Sequence, residues 1–414
     1  LLSLPNDQWS EIISAVQEDV GVLADRNTCR DLVNILRTNS STARGVGPAF
    51  MSQLSNISTD ALNLYQAYSR MINETVVAKG PQAVSHSDVR AWRKVKPEIL
   101  NMVETFFQHM SPDDMEVIVQ SFIPALLSTV LDDYSSSVCE ARDAEALSLV
   151  DVIVKKFKGF MLNQIPDIMG VIFEPTLELI TDNMTDFPQH RQNFFALLRS
   201  INKHCFGAFF ELPMENFRVV VQSILWAMKH MEHSISDTGH TTLLEMVRQL
   251  SGTPYAEPFY ENFLMSVVSD VLVAMTDMMH KTALPFQVGI LHRICGDLSS
   301  GNVTCAVGED QPSGMSSLDY VRESLFATLK ENFSNMSEAD IRDFLVNLFD
   351  PTISFEDLKV HVRDFIIKSK EFSPDEASAY YLDDDKSQRQ AAEMEEKARR
   401  DQVPGLSEPD VSME

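Results

Sequence analysis

Cations are scarce in this chain. Thirty-four Lys and Arg residues stand against 60 Asp and Glu over 414 residues, a formal charge of −26. Phosphate binding depends on Lys and Arg neutralising charge, so the deficit excludes nucleic acid as a direct partner and favours basic protein surfaces. Cysteine is sparse too. The five, Cys29, Cys139, Cys205, Cys295 and Cys305, are odd in number and mostly far apart, with no C-x-x-C pair. That pattern suits a reducing compartment better than a disulfide framework. No apolar run approaches the roughly 20 residues that a membrane span requires. A soluble, intracellular protein without membrane insertion is the expectation. The tripeptides at Asn56, Asn73, Asn183, Asn302, Asn332 and Asn335 satisfy the glycosylation pattern, but no signal peptide accompanies them, and they are read as chance. A P-loop, a G-x-G-x-x-G turn, an H-E-x-x-H pair and a nucleophile elbow are all missing, which argues against an enzyme and against a bound cofactor. Glycine and proline are few, 15 and 18, and 44% of residues are hydrophobic, ordinary values for a folded protein with a large core.

What the chain does have is helical periodicity from end to end. In Phe187–Pro213, Phe194, Leu197, Leu198, Ile201 and Cys205 fall on one side of a helix, while Phe195 and Ala196 broaden the stripe. Pro188 suits a first helical turn, and Gly207 and Pro213 bracket the exit. A second helix is expected over Met214–Ser234, with Phe217, Val220, Val221, Ile224, Leu225, Met228 and Met231 inward. Such a hairpin cannot bury both faces alone and needs copies of itself on either side. Comparable stripes predict helices opening at Pro5, through Leu32–Leu36, over Phe50–Val77 and over Val89–Met110, where Pro97 is awkward. Ser111, Pro112, Asp113 and Asp114 read as a cap, a first-turn proline and two dipole-facing carboxylates, starting a helix that runs to about Tyr134. Arg142–Phe160, Ile165–Met184, Asp237–Leu250, Pro254–His280 and Leu284–Leu298 follow, then Leu318–Phe333, Ala339–Phe349 and Phe355–Phe372. Residues 299–317 lose the period and gather Gly, Ser and Pro, the clearest loop. The fold class expected is all-α: an α-α superhelix, or HEAT-repeat solenoid, of about eight antiparallel helix pairs plus a C-terminal helix and acidic tail. Residues 1–372 form the array, 373–402 the charged helix and 403–414 a flexible acidic tail.

Chemical signals are weak. Asp237-Thr238-Gly239 matches an aspartic-protease tripeptide, but no second copy exists and no strands flank it, so Asp237 is read as the cap of a new helix. His230, His233 and His240 offer no complete metal set, and His280 and His292 lie on partner helices where they can meet without chemistry. The 20 methionines at helical spacing are core, with Met275, Met278 and Met279 the densest group. Beyond Tyr380, Tyr381 and Leu382 the sequence DDDKSQRQAAEMEEKARRD has almost no apolar stripe, which makes it either a solvated cap or a helix lying across a polar surface.

Three stretches carry a resemblance: FPQHRQNFFALLRSINKHCFGAF at Phe187–Phe209, SILWAMKHMEHSISDTG at Ser223–Gly239 and FEDLKVHVRDFIIKSKEF at Phe355–Phe372. With LPNDQW at Leu4 and VPG at Val403 they resemble the C-terminal part of exportins that recognise leucine-rich nuclear export signals, karyopherins of the importin-beta superfamily. The resemblance implies a receptor carrying protein cargo out of the nucleus with Ran-GTP, shuttling through the nuclear pore to the cytoplasm, with nucleoporins as further partners. It also implies that the export-signal groove and its reactive cysteine lie upstream, so none of the five cysteines here takes that role. Asn193, Asp237 and Thr241, near the starts of inner helices, are the implied Ran-facing residues. The terminal helix, with Leu382, Arg389, Met394, Glu395, Arg399 and Arg400, is implied to cross behind the groove and hold the unloaded receptor at low affinity, which favours the second reading of that segment. The rival is a HEAT scaffold that organises other proteins without any GTPase.

Overall fold

The computed structural model describes residues 3–181, 186–308, 310–333 and 335–370. The terminal helix and acidic tail, and with them Leu382, Arg389, Met394, Glu395, Arg399 and Arg400, lie outside the described residues. Every regular element among the described residues is a helix, as an all-α HEAT-repeat solenoid requires. No single helix among them is long and apolar enough to cross a membrane. By its internal contacts the chain divides into two units, Leu1–Val220 and Val221–Glu414.

The first unit holds α1 (Ser3–Glu18), α2 (Arg26–Val46), α3 (Met51–Lys79), α4 (Ser87–His109), α5 (Met115–Ser121), α6 (Ile123–Ser136), α7 (Glu145–Phe157), α8 (Ile165–Thr181) and α9 (Pro188–His204). Helices α2, α4, α7 and α9 pack side by side in that order as one row, and α3, α6 and α8 form a second row against them. A helix in the middle of a row has neighbours on several sides. Accordingly Leu147, Leu149, Val150, Ile153, Val154 and Phe157 of α7 are all buried, each worth about 1.5–3 kcal/mol of transfer free energy.

Turn chemistry sets the ends. Asp25 caps α2 by accepting from the N–H groups of Asn27 and Thr28, satisfying donors that have no helical partner. Gly47 and Gly80 close α2 and α3 at φ +55° and +84°, a region that costs a side chain energy but glycine little. The helix expected from Pro112 to about Tyr134 is instead broken, with a bend of 58° at Phe122 between Pro112–Ser121, which holds α5, and α6. Pro124 explains the break: it has no N–H for the carbonyl of Gln120, and its ring crowds that oxygen. By contrast α4 runs unbroken through Pro97. The apolar stripe predicted for α9 is buried at Phe194, Leu197, Leu198, Ile201 and Cys205.

Helix α10 (Met214–Met228) crosses the boundary, and the second unit continues with α11 (His233–Leu250), α12 (Ala256–Thr276), α13 (Leu284–Ser299), α14 (Ser317–Asn332), α15 (Glu338–Leu348) and α16 (Phe355–Lys370). Here α11 packs on α13 and α13 on α16, while α12 lies against α13 and α14 and α16 both pack on α15. Several boundaries differ from expectation, the ends of α10 and α12 most. Helix α10 stops six residues before Ser234, where His230 Nδ1 accepts from the Glu232 N–H at 2.9 Å, so Met231, predicted buried, is 66% exposed. Helix α12 ends at Thr276, where Asp277 caps a short 3-10 turn through the Met279 N–H. Met265 is half-buried and Met279 exposed. The 299–317 loop is tied inward: Val303 and Val307 are buried, and Gln311 bonds the Val307 N–H, the Met315 carbonyl and Ser317.

Candidate partner-binding face

Asp237 and Thr241 sit one turn apart on α11, and the Thr241 hydroxyl donates to the Asp237 carbonyl at 2.7 Å. Asp237 is exposed and Thr241 half-buried. Asp237 is not the cap of a new helix, because α11 already begins at His233 behind Glu232. It projects from the second turn. Surrounding protein raises its carboxyl above the ordinary value, against the pull of His233 and His280. Asn193 belongs to the other unit, on α9. Its Nδ2 donates to the Ala144 carbonyl at 2.9 Å, tying α9 to the residue ahead of α7, so this half-buried amide already has structural work.

Beneath Asp237 the helix is held by contacts that leave it little freedom. Gly239 meets α10 so closely that an added Cβ would lie 2.6 Å from the Met228 nitrogen and 2.9 Å from the Ala227 carbonyl carbon. Beside it runs a buried polar chain. His240 Nδ1 bonds the Ser236 carbonyl at 2.8 Å, and its Nε2 lies 3.0 Å from the Gln287 amide on α13. A carbonyl can only accept, so Nδ1 carries the proton and Nε2 accepts from Gln287. Burial pushes His240 down to about 4, with the Ser236 bond acting the other way and His280 adding to the fall. It is therefore a neutral ring at ordinary pH. His280 Nδ1 lies 3.1 Å from the Ser236 hydroxyl, which donates to the Met228 carbonyl at 2.9 Å. Thus α10, α11, α13 and the turn after α12 share one network. His280 does not meet His292, whose Nε2 faces the Ile353 carbonyl at 3.3 Å. Nor do His230, His233 and His240 converge, since His230 packs on Trp226 with ring centroids 4.9 Å apart.

The geometry describes a closely held helical face that carries the exposed carboxylate of Asp237. A family model described as CRM1 C terminal matches residues 53–374. The chain belongs to this family. Protein EXPORTIN 1A of Arabidopsis thaliana is 34% identical over 415 residues, covering 99% of this chain and 38% of the relative. Exportin-1 of Schizosaccharomyces pombe is 33% identical over 416 residues, with 99% and 38% covered. Exportin-1 of Dictyostelium discoideum is 33% identical over 417 residues, with 100% and 38% covered. The chain spans about 38% of the length of these curated relatives.

A second polar cluster in this CRM1 C-terminal chain, centred on Lys96, is not legible in helical periodicity alone. Lys96, 1% exposed, lies 2.8 Å from Asp133 and 3.0 Å from Asp143. Asp133 also accepts from Tyr65 at 2.8 Å and from the hydroxyls of Ser69 and Ser137, and Arg93 reaches Asp143 at 3.7 Å. Burial alone would lower the Lys96 ammonium, but Asp143 and Asp133 outweigh it and hold it above its usual value. The cluster bolts α3 and α4 to α6 and to the segment ahead of α7.

Proposed function

We propose that this chain is the late-repeat segment of a nuclear export receptor, contacting Ran-GTP through the α11 face around Asp237 and Thr241. What carries the reading is the family match over 53–374, joined to exportin-1 relatives aligned along nearly the whole chain. Asp237 supplies an exposed anion for a basic surface, and the Gly239 contact and His240 network fix its position before any partner arrives. Such preorganisation lowers the ordering cost of association. Asn193, bonded to Ala144, has less to offer and is the weaker member of the proposed Ran-facing set. The terminal helix around Leu382, Arg389, Met394, Glu395, Arg399 and Arg400 sets the affinity for export signals held upstream of this chain. Nucleoporins and cargo complete the partner set, and the receptor shuttles between nucleus and cytoplasm.

The work is thermodynamic, with no bond made or broken by this segment. Ran-GTP and cargo favour the same solenoid geometry, so each raises the affinity for the other by the same factor. The test uses the segment joined to its upstream repeats. Bead-bound Ran-GTP retains it, more strongly with an export-signal peptide, and Asp237→Arg with Thr241→Arg lowers retention about tenfold, roughly 1.4 kcal/mol. Equal retention by the GDP form defeats the transport reading and favours the scaffold.

A further inference from the structure

A groove of about 620 Å³ opens between α14 and α15, lined by Arg322, Glu323, Phe326, Arg342, Leu345 and Val346. Its volume falls in the range of sites that take a small ligand or a few side chains. Its charge is unusual for a chain with so few cations. Arg342 stands 4.5 Å from the Phe326 ring centre and Arg322 5.0 Å from that of Phe349. An arginine placed on a ring still offers N–H donors to carboxylates. Glu323 is the single anion of the lining, and the Glu338 carboxylate, 4.0 Å from Arg342, is an exposed helical neighbour of the kind that contributes little. Phe326, Leu345 and Val346 make the apolar part of the lining, and Val346 is 64% exposed.

We propose that residues Tyr380–Asp385 of this same chain dock in the α14–α15 groove, the aromatic and leucine side chains on Phe326, Leu345 and Val346 and the aspartates against Arg322 and Arg342. Sequence supplies the complement: Tyr380, Tyr381 and Leu382 are followed at once by Asp383, Asp384 and Asp385. Connectivity supplies the reach. Helix α16 ends beside the α14–α15 connection, where Asn335 Nδ2 donates to the Ser369 carbonyl at 2.7 Å and Lys368 pairs with Asp340 at 2.6 Å. From Lys370 the nine residues before Tyr380 extend up to about 30 Å, whereas Glu338 to Val346 along α15 is about 12 Å. A tethered segment acts at high effective concentration, so modest contacts suffice. Docking here would anchor the first part of the 373–402 segment, Leu382 included, beside the helices it follows.

Hydrogen exchange of peptides from 374–390 in the full chain tests this without Ran or cargo, so its outcome and that of the transport reading stand apart. We expect exchange in the native chain to be about tenfold slower than in Arg322→Glu/Arg342→Glu, with α14–α15 exchange reporting that the variant is folded. Adding Asp383→Arg, Asp384→Arg and Asp385→Arg to that variant restores the slow exchange by swapping the charges. Tyr380→Ser/Tyr381→Ser speeds exchange of 374–390 to the same extent. Identical exchange in the native chain and both variants overturns the proposal. Protection that grows with protein concentration also overturns it, placing a second copy in the groove.

Discussion

Glu104 on α4 faces α7, and replacing it with glutamine should stabilise the protein in a pH-dependent way. Burial, foremost, lifts its carboxyl from 4.5 to about 7; the Ser148 hydroxyl acts against this, Asp151 and Glu145 add to it, and Lys155 opposes it. A carboxyl that holds its proton more tightly folded than unfolded favours folding below pH 4.5, and that contribution is lost as pH climbs through 7. With about 1.4 kcal/mol per pK unit, the rise from 4.5 to about 7 corresponds to roughly 3 kcal/mol. Glu104→Gln keeps the shape and never ionises. Its stability should match the native chain near pH 4.5 and exceed it by about 2–3 kcal/mol at pH 8, a large gain for one substitution. Hydrogen exchange of α4 and α7 peptides, corrected for the intrinsic rate at each pH, reads the opening free energy of this unit. A gain of equal size at both pH values, or a loss at pH 8, refutes the reasoning.

Two other substitutions probe how the helices are fastened. Lys96→Met leaves Asp133 and Asp143 buried without their ammonium and should cost about 3–5 kcal/mol at pH 7; adding Asp133→Asn and Asp143→Asn should recover most of it, read by thermal unfolding. Gly239→Ala places a methyl 2.6 Å from the Met228 nitrogen and should cost about 1–3 kcal/mol through separation of α10 and α11. Faster exchange confined to those two helices is the expected pattern, and unchanged exchange there would mean the close crossing does not exist.

Element type and order were legible because the apolar period of 3.6 runs through nearly the whole chain and glycine, proline and capping residues interrupt it. Some boundaries misled for a local reason. Met231 follows Met228 by three residues and continues the buried phase on paper, yet phase has no meaning once His230 has turned the chain out of α10. The break before α6 carried a signal, Pro124, which the strong Ser111-Pro112 start overshadowed. Asp237 and Thr241 are four apart on α11, so their shared face followed from periodicity; the tie of Asn193 to Ala144 did not, because its partner lies 49 residues away.

That distance explains what sequence periodicity could not supply. Charged and polar residues are assigned to solvent when a helix is considered alone, but a helix inside a stacked row has little solvent side. Its polar groups then pair with the next helix of the row. Ser200 donates to Asp151 across 49 residues, His240 meets Gln287 across 47, Ser251 donates to Asp297 across 46, and Ser299 donates to the Phe349 carbonyl across 50. In these four pairs the repeat survives as a spacing of hydrogen-bond partners, whereas Tyr65 and Asp133, across α3 and α6, are 68 residues apart. The length of the repeat follows from geometry: two helices of three to five turns and their two connections must pass before the chain returns to the same row. An unsatisfied buried polar group costs about 1–3 kcal/mol, so each such pair penalises a slip of one helix pair against the next. Apolar stripes alone would tolerate that slip.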